Sequence, residues 1–225
     1  SGVTTAVAAK EHGADVRIIS ASSKPIGRGG SFHAIGSKKQ KELGIDYTLT
    51  SEITRHATKI EKISAAHFID ERKWATWLQN SGKAMDWMID KMASKGLKVA
   101  LEPGYKDPDG VLTVPPGSHN FYNDEQPFGA LFGAPLCAQA LADIFKEMGG
   151  EIDFRTKALY LIREENNKGR VSGVVAENME TGEHLKYEAK KGIVLATGDF
   201  SRNADMMAKY APWAWELYKD NLEPE

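Results

Sequence analysis

Glycines are the residues of this sequence best placed to touch a ligand. Gly2, Gly29, Gly30, Gly36 and Gly198 stand where a helix begins or an apolar run gives way to a turn, and a glycine there leaves backbone amides bare for a phosphate or a planar ring. The sharpest case is the stretch 189–203, AKKGIVLATGDFSRN, in which Ile193-Val194-Leu195-Ala196 ends abruptly in Thr197-Gly198. Groups capable of proton transfer or nucleophilic attack are scattered. His33, His119 and Asp124 have no partner at a spacing that builds acid–base machinery, and His56 and His67 fit no metal-ligand pattern. Cys137 sits among Ala and Leu on a helical stretch, as a core thiol does. The pattern assigns binding positions, with no catalytic group and no metal ligand.

The elements that must position these glycines follow from periodicity. Val3 to Glu11 reads as a small-residue helix stopped by Gly13, and Ala14 to Ser20 as the strand after it. The short β-branched run 193–196 reads as a buried parallel strand. Residues 21–39, ASSKPIGRGGSFHAIGSKK, are too rich in Gly, Ser and Pro for regular structure throughout and read as a loop, either a flexible surface one or one whose bare amides meet a ligand. Asp46 to Gly96 places apolar residues at three- and four-residue spacing, among them Ile60, Ile63, Phe68, Trp74, Trp77, Leu78, Met85, Met88, Ile89 and Met92, which predicts helices packed on a sheet. Residues 97–133, punctuated by Pro, Gly and aromatics, predict an irregular surface excursion with Val111 to Val114 as one strand of a hairpin. An amphipathic helix with Pro135 near its start and Gly149-Gly150 as its stop leads into a strand at Ile152 to Phe154. A three-stranded antiparallel meander follows, broken at Asn-Lys-Gly and Glu-Thr-Gly.

The order of these pieces resembles the FAD-dependent fumarate reductase and succinate dehydrogenase flavoproteins. GRVSGVVAE at 169–177 and AKKGIVLATGDF at 189–200 are similar to that family's meander and its ATGGF segment, with Asp199 in place of the second glycine. GRGGS at 27–31 and AIGS at 34–37 resemble its flavin loop, and Arg202-Asn203 with Tyr210-Ala211-Pro212 resembles the sequel. The resemblance spans nearly the whole chain and is weakest between Asp46 and Phe128. It implies an α/β, FAD/NAD(P)-binding three-layer sandwich: a mostly parallel sheet, helices on one face and a three-stranded antiparallel meander on the other. It implies FAD as cofactor, held by Gly2, Ser20, Gly29, Gly30, Ser31, Ala34, Gly36, Ser37, Ala158, Ala196, Thr197 and Gly198. Gly2 matches the last glycine of the dinucleotide turn, and Ser20 replaces the acidic residue that ordinarily meets the ribose. Some relatives attach flavin to a loop histidine, against which His33 is expected to be unmodified.

The resemblance also implies hydride transfer through flavin N5 to or from a carbon–carbon double bond of an unsaturated acid or 3-ketosteroid, with a small-molecule substrate and an unspecified electron donor. The expected extent is 1–225 as a partial FAD-binding domain, lacking the first strand, the first glycines and the capping, catalytic part. Two alternatives stand beside it: a nicotinamide-dependent Rossmann dehydrogenase, and a fragment that folds without cofactor. With 225 residues the chain can bury one substantial core. A net charge of -2 gives no electrostatic reason to expect nucleic acid or an anionic membrane as partner. The single cysteine excludes an intrachain disulfide. No apolar stretch has the length of a membrane span, and the sequence is compatible with a cytoplasmic or an exported protein.

Overall fold

Helix α1 (Gly2–Glu11) is built from small residues that let it lie close to its neighbours, with Ala6 and Val7 fully packed. It ends in a Schellman motif: Ala14 N–H donates to Ala9 O at 3.0 Å and Gly13 N–H to Lys10 O at 2.9 Å, with Gly13 at φ 75° as that turn demands. The computed structural model describes residues 1–47, 70–106, 113–129, 133–165 and 167–221. Strand β1 (Arg17–Ile19) follows α1 and pairs in parallel with β7 (Glu151–Asp153), Ile18 opposite Ile152. Between them in sequence come β2 (Phe32–His33), α2 (Lys38–Glu42), α3 (Glu71–Ala93), β3 (Lys98–Leu101), β4 (Tyr105–Lys106), β5 (Thr113–Val114), β6 (Ser118–Tyr122) and α4 (Gly133–Glu147). The chain finishes with β8 (Thr156–Glu165), β9 (Lys168–Asn178), β10 (His184–Glu188), α5 (Ala204–Tyr210) and α6 (Pro212–Tyr218).

Alternation along β1 and β7 sorts the layers. Ile18 and Ile152 turn one way, into a core with Val7 of α1, Met92 of α3, Phe121 of β6, and Leu141 and Phe145 of α4. Arg17, Glu151 and Asp153 turn the other way, toward the meander. There Arg17 grips Asp153 with two hydrogen bonds, at 2.7 and 3.0 Å, while the Tyr187 hydroxyl of β10 donates to the same carboxylate at 2.7 Å. The guanidinium holds Asp153 below the ordinary carboxylate range, and burial beside this carboxylate pushes the Tyr187 phenol up to about 12. The fold is thus α/β, with helices on one face of a parallel pair and the antiparallel meander β8-β9-β10 on the other.

Two segments depart from their sequence reading. The described residues of 97–133 are more regular than their composition suggests: β3 and β6 pair antiparallel and β2 joins the other edge of β6, so His119 and Phe121 lie in the interior. Backbone pairing on both sides of β6 outweighs the local turn propensities. The expected hairpin is present as β4 with β5. Residues 193–196 form no strand, and Val194 and Leu195 are 66% and 63% exposed. A parallel strand needs a ladder partner and cover on both faces. Among the described residues this run has neither. Ile60, Ile63, Phe68, His56, His67, Val111 and Leu112 lie outside the described residues.

Candidate functional site

Loop 27–37 is held from below by three elements. Ala34 N–H donates to Gly117 O at 3.0 Å and Ile35 N–H to the Ser81 hydroxyl of α3 at 3.2 Å. Ser37 N–H goes to Gln40 Oε1 at 2.9 Å and Lys38 N–H to Asp86 of α3 at 2.6 Å. Ser37 and Gln40 form a capping box on α2, and Gln40 also donates to Ala34 O and Pro116 O, so both residues are completely buried without an unanswered group. The pattern Ser-x-x-Gln at 37–40 was readable in the sequence as such a cap; the Ser81 and Asp86 contacts, from a helix more than forty residues away, were not.

His119 locks this arrangement. It is buried completely, with Nδ1 at 2.9 Å from Gly117 O and 3.3 Å from Phe32 O, and Nε2 at 2.7 Å from the Ser37 hydroxyl. Carbonyls only accept, so Nδ1 carries the proton and Nε2 receives the Ser37 hydroxyl proton. Burial lowers the His119 pKa and keeps the ring neutral. His33 is likewise engaged, 3.0 Å from the Tyr47 hydroxyl and 3.4 Å from that of Ser118, and stacked on Trp77. Asp124 pairs with Lys98 on the surface. The three residues with proton-transfer capacity are therefore not assembled into one centre. A cleft of about 370 Å³ beside the loop is lined by Lys73, Thr76, Trp77, Asn80, Ser81 and Ala84, all from α3, and so is a groove along one helix.

Above this brace the loop is open. Gly29 adopts φ 94° and Gly36 φ 73°, and a Cβ at either would meet empty space. Gly27 is different, since a Cβ there would overlap the Ala134 carbonyl at the start of α4. The other glycines converge from a second direction. A Cβ on Gly2 would sit 3.4 Å from that of Ala196, so the amino end of α1 touches the end of the 193–196 run. Ser1 makes no side-chain cap and no acid lies in the first turn, which leaves the first α1 amides and the positive end of the helix dipole facing outward. Thr197 and Gly198 are exposed, with Gly198 at φ 82°. Hydrogen bonds from Ser201, and more weakly the charge of Arg28, hold the Asp199 carboxyl below its ordinary range. Arg28 was not singled out by spacing.

Ser20 extends the β1 ladder by donating its N–H to Asp153 O at 2.9 Å, and Ala158 is exposed on β8, opposite Ala176. Of the residues singled out from sequence, Gly2 and Ala196 thus meet, with Thr197 and Gly198 next in the chain, and Gly29, Gly30 and Ser31 lie in the glycine loop. Ala34 and Ser37 lie beneath as its buried support.

Residues 1–218 match the model of the FAD binding domain. This chain belongs to that family. It is 24% identical over 215 residues to a vinyl phenol reductase of Lactiplantibacillus plantarum, covering 93% of this chain and 38% of that protein. Among solved structures it resembles a 3-ketosteroid-delta4-(5alpha)-dehydrogenase of Rhodococcus jostii, with a TM-score of 0.72 and 24% identity over 94% of this chain and 46% of that one. It also resembles a flavocytochrome c3 fumarate reductase, with a TM-score of 0.70 and 21% identity over 94% of this chain and 34% of that one. The chain therefore spans less than half the length of each of these relatives. A family match that runs through the meander and the 193–200 stretch does not favour the nicotinamide-dependent alternative, nor a fold without a cofactor role.

The cofactor of the family is FAD, and the residues present fit it. The outward-facing first amides of α1 suit a pyrophosphate. The glycine loop, open on one side and hydrogen-bonded on the other, suits a planar ring. Among the described residues no helix is long and apolar enough to cross a membrane.

Proposed function

We propose that this chain is the FAD-holding part of a longer oxidoreductase that reduces or oxidises an activated carbon–carbon double bond. The observation that carries the reading is the meeting of the uncapped α1 amino terminus with Ala196, at the edge of the Thr197-Gly198 turn. In this reading the amides of Gly2 and Val3 face the pyrophosphate, Gly29, Gly30, Ser31 and Gly36 lie along the flavin, Thr197 and Gly198 close over it, and Ser20 and Ala158 meet the adenosine end. Ala34 and Ser37 act from below, by keeping the loop in shape. Bound FAD supplies two-electron transfer at flavin N5. The chain's own residues position it.

The substrate class comes from the relatives: a vinyl phenol reductase, a ketosteroid dehydrogenase and a fumarate reductase are named for a reaction that removes or forms a double bond next to an activating group. We assign no catalytic residue within 1–225. His33 and His119 are committed to the loop, and turnover also requires a substrate clamp and a proton donor opposite the flavin. The test is anaerobic reoxidation of chemically reduced flavin by vinyl phenols, unsaturated acids and steroid enones. The full-length protein is expected to be reoxidised by at least one class and the 225-residue chain, saturated with FAD, by none. A full-length protein without a flavin spectrum, or substrate-dependent reoxidation by the shorter chain, overturns the reading.

A further inference from the structure

At the end of β1, where the family ordinarily presents a carboxylate to the ribose, this chain carries two serines whose hydrogen bonds have a forced direction. Ser20 is fixed on both sides, its N–H donating to Asp153 O at 2.9 Å and its carbonyl receiving Thr156 N–H at 2.8 Å. Ser22 is fixed through its own carbonyl, which receives Arg155 N–H at 2.9 Å. The two hydroxyl oxygens are 2.8 Å apart, and that of Ser22 is 2.7 Å from Lys24 O. A carbonyl cannot donate, so the Ser22 proton is committed to Lys24. Ser22 Oγ must then accept the proton of Ser20. With its proton used, Ser20 Oγ retains only lone pairs, one of them turned to Ser22 N–H at 3.4 Å.

We propose that Ser22 is a positioning residue that makes Ser20 an obligate acceptor for the ribose 2′-hydroxyl of the FAD adenosine. The pair reproduces the hydrogen-bonding polarity of a carboxylate without its charge. A lone serine does not, because its hydroxyl is free to rotate and offer a proton to the ribose instead. The inference rests on the FAD-binding reading above and adds to it a residue, Ser22, that acts through another.

The experiment compares dissociation constants of FAD, of FAD lacking the adenosine ribose 2′-hydroxyl, and of FMN, which has no adenosine, on the full-length apoprotein. Ser20→Ala and Ser22→Ala are each expected to weaken FAD by about three- to tenfold, the effect of one neutral hydrogen bond, and Ser22→Thr to retain wild-type affinity. FMN should bind all variants alike, and the deoxy analogue should bind wild type and Ser22→Ala equally. If Ser22→Ala leaves FAD affinity unchanged, or weakens FAD and FMN by the same factor, the inference is overturned while FAD binding stands. Absence of FAD binding to the unsubstituted protein overturns both.

Discussion

In the loop 32–38 the amides of Ala34, Ile35, Ser37 and Lys38 all find acceptors within the protein, whereas between Lys190 and Phe200 no backbone amide has an acceptor among the described residues. Both segments border the proposed cofactor site. The loop is held by hydrogen bonds within the protein, to the Gly117 carbonyl just before β6, to α2 and to α3. The 190–200 stretch carries Val194 and Leu195 in solvent, so its order depends on what packs against it. One wall of the proposed site is hydrogen-bonded within the chain and the other, among the described residues, is not.

The largest effect expected from this difference is at His119. Replacing it with Ala removes a fully buried ring and strands the Ser37 hydroxyl proton, while the Gly117 carbonyl keeps only its bond from Ala34 N–H, which costs roughly 2–4 kcal/mol. Urea denaturation of the 225-residue chain measures it, and a loss below about 1 kcal/mol would mean that the loop does not depend on its brace. A pH dependence accompanies this. Burial depresses the His119 pKa, so the unfolded chain binds the proton more readily than the folded one. Its contribution to stability is complete above the unfolded value near about 6.5 and declines as pH falls below it. The decline in stability on acidification should be shallower in His119→Gln than in wild type. Equal slopes would remove the histidine from the acid response.

Gly198→Val comes next and acts on the other wall. At φ 82° the substitution strains the backbone by about 1 kcal/mol, but a Cβ meets nothing within 4 Å, so the fold tolerates it. In the full-length protein, flavin affinity should fall at least about tenfold while the circular dichroism spectrum is unchanged. A folded Gly198→Val protein with its full flavin content would show that this turn points away from the cofactor.

The contrast between the walls also explains what was legible in the sequence. Helix α1, the α4 stop at Gly149-Gly150 and the meander announce themselves through local signals, namely small-residue periodicity, left-handed glycines and alternation between turns, and the structure has them where those signals lie. The glycines that converge at Gly2 and Gly198 are visible for the same reason. His119 was legible only as a polar residue, because its role comes from Ser37, 82 residues away, and no local pattern encodes that pairing. The run 193–196 shows the opposite failure. Its composition is that of a buried parallel strand, but composition encodes the environment a segment is suited to and not the presence of its neighbour.

The smallest effect expected in the 225-residue chain tests that last point. Val194→Thr together with Leu195→Thr replaces two apolar side chains that are already about two-thirds exposed, so the stability of the 225-residue chain should change by less than about 0.5 kcal/mol. The same double substitution in the full-length protein places hydroxyls wherever those side chains are covered, and a buried Val-to-Thr exchange is not conservative. There the expected loss is roughly 2–4 kcal/mol, because the β-branched sequence is suited to a strand covered on both faces. Paired denaturation curves of the two proteins decide the matter. If the full-length protein is as indifferent as the shorter chain, residues 193–196 remain at the surface and the second wall is not completed by a neighbouring strand. If the shorter chain itself loses more than about 1 kcal/mol, the run already contributes to its core and the difference drawn between the walls fails.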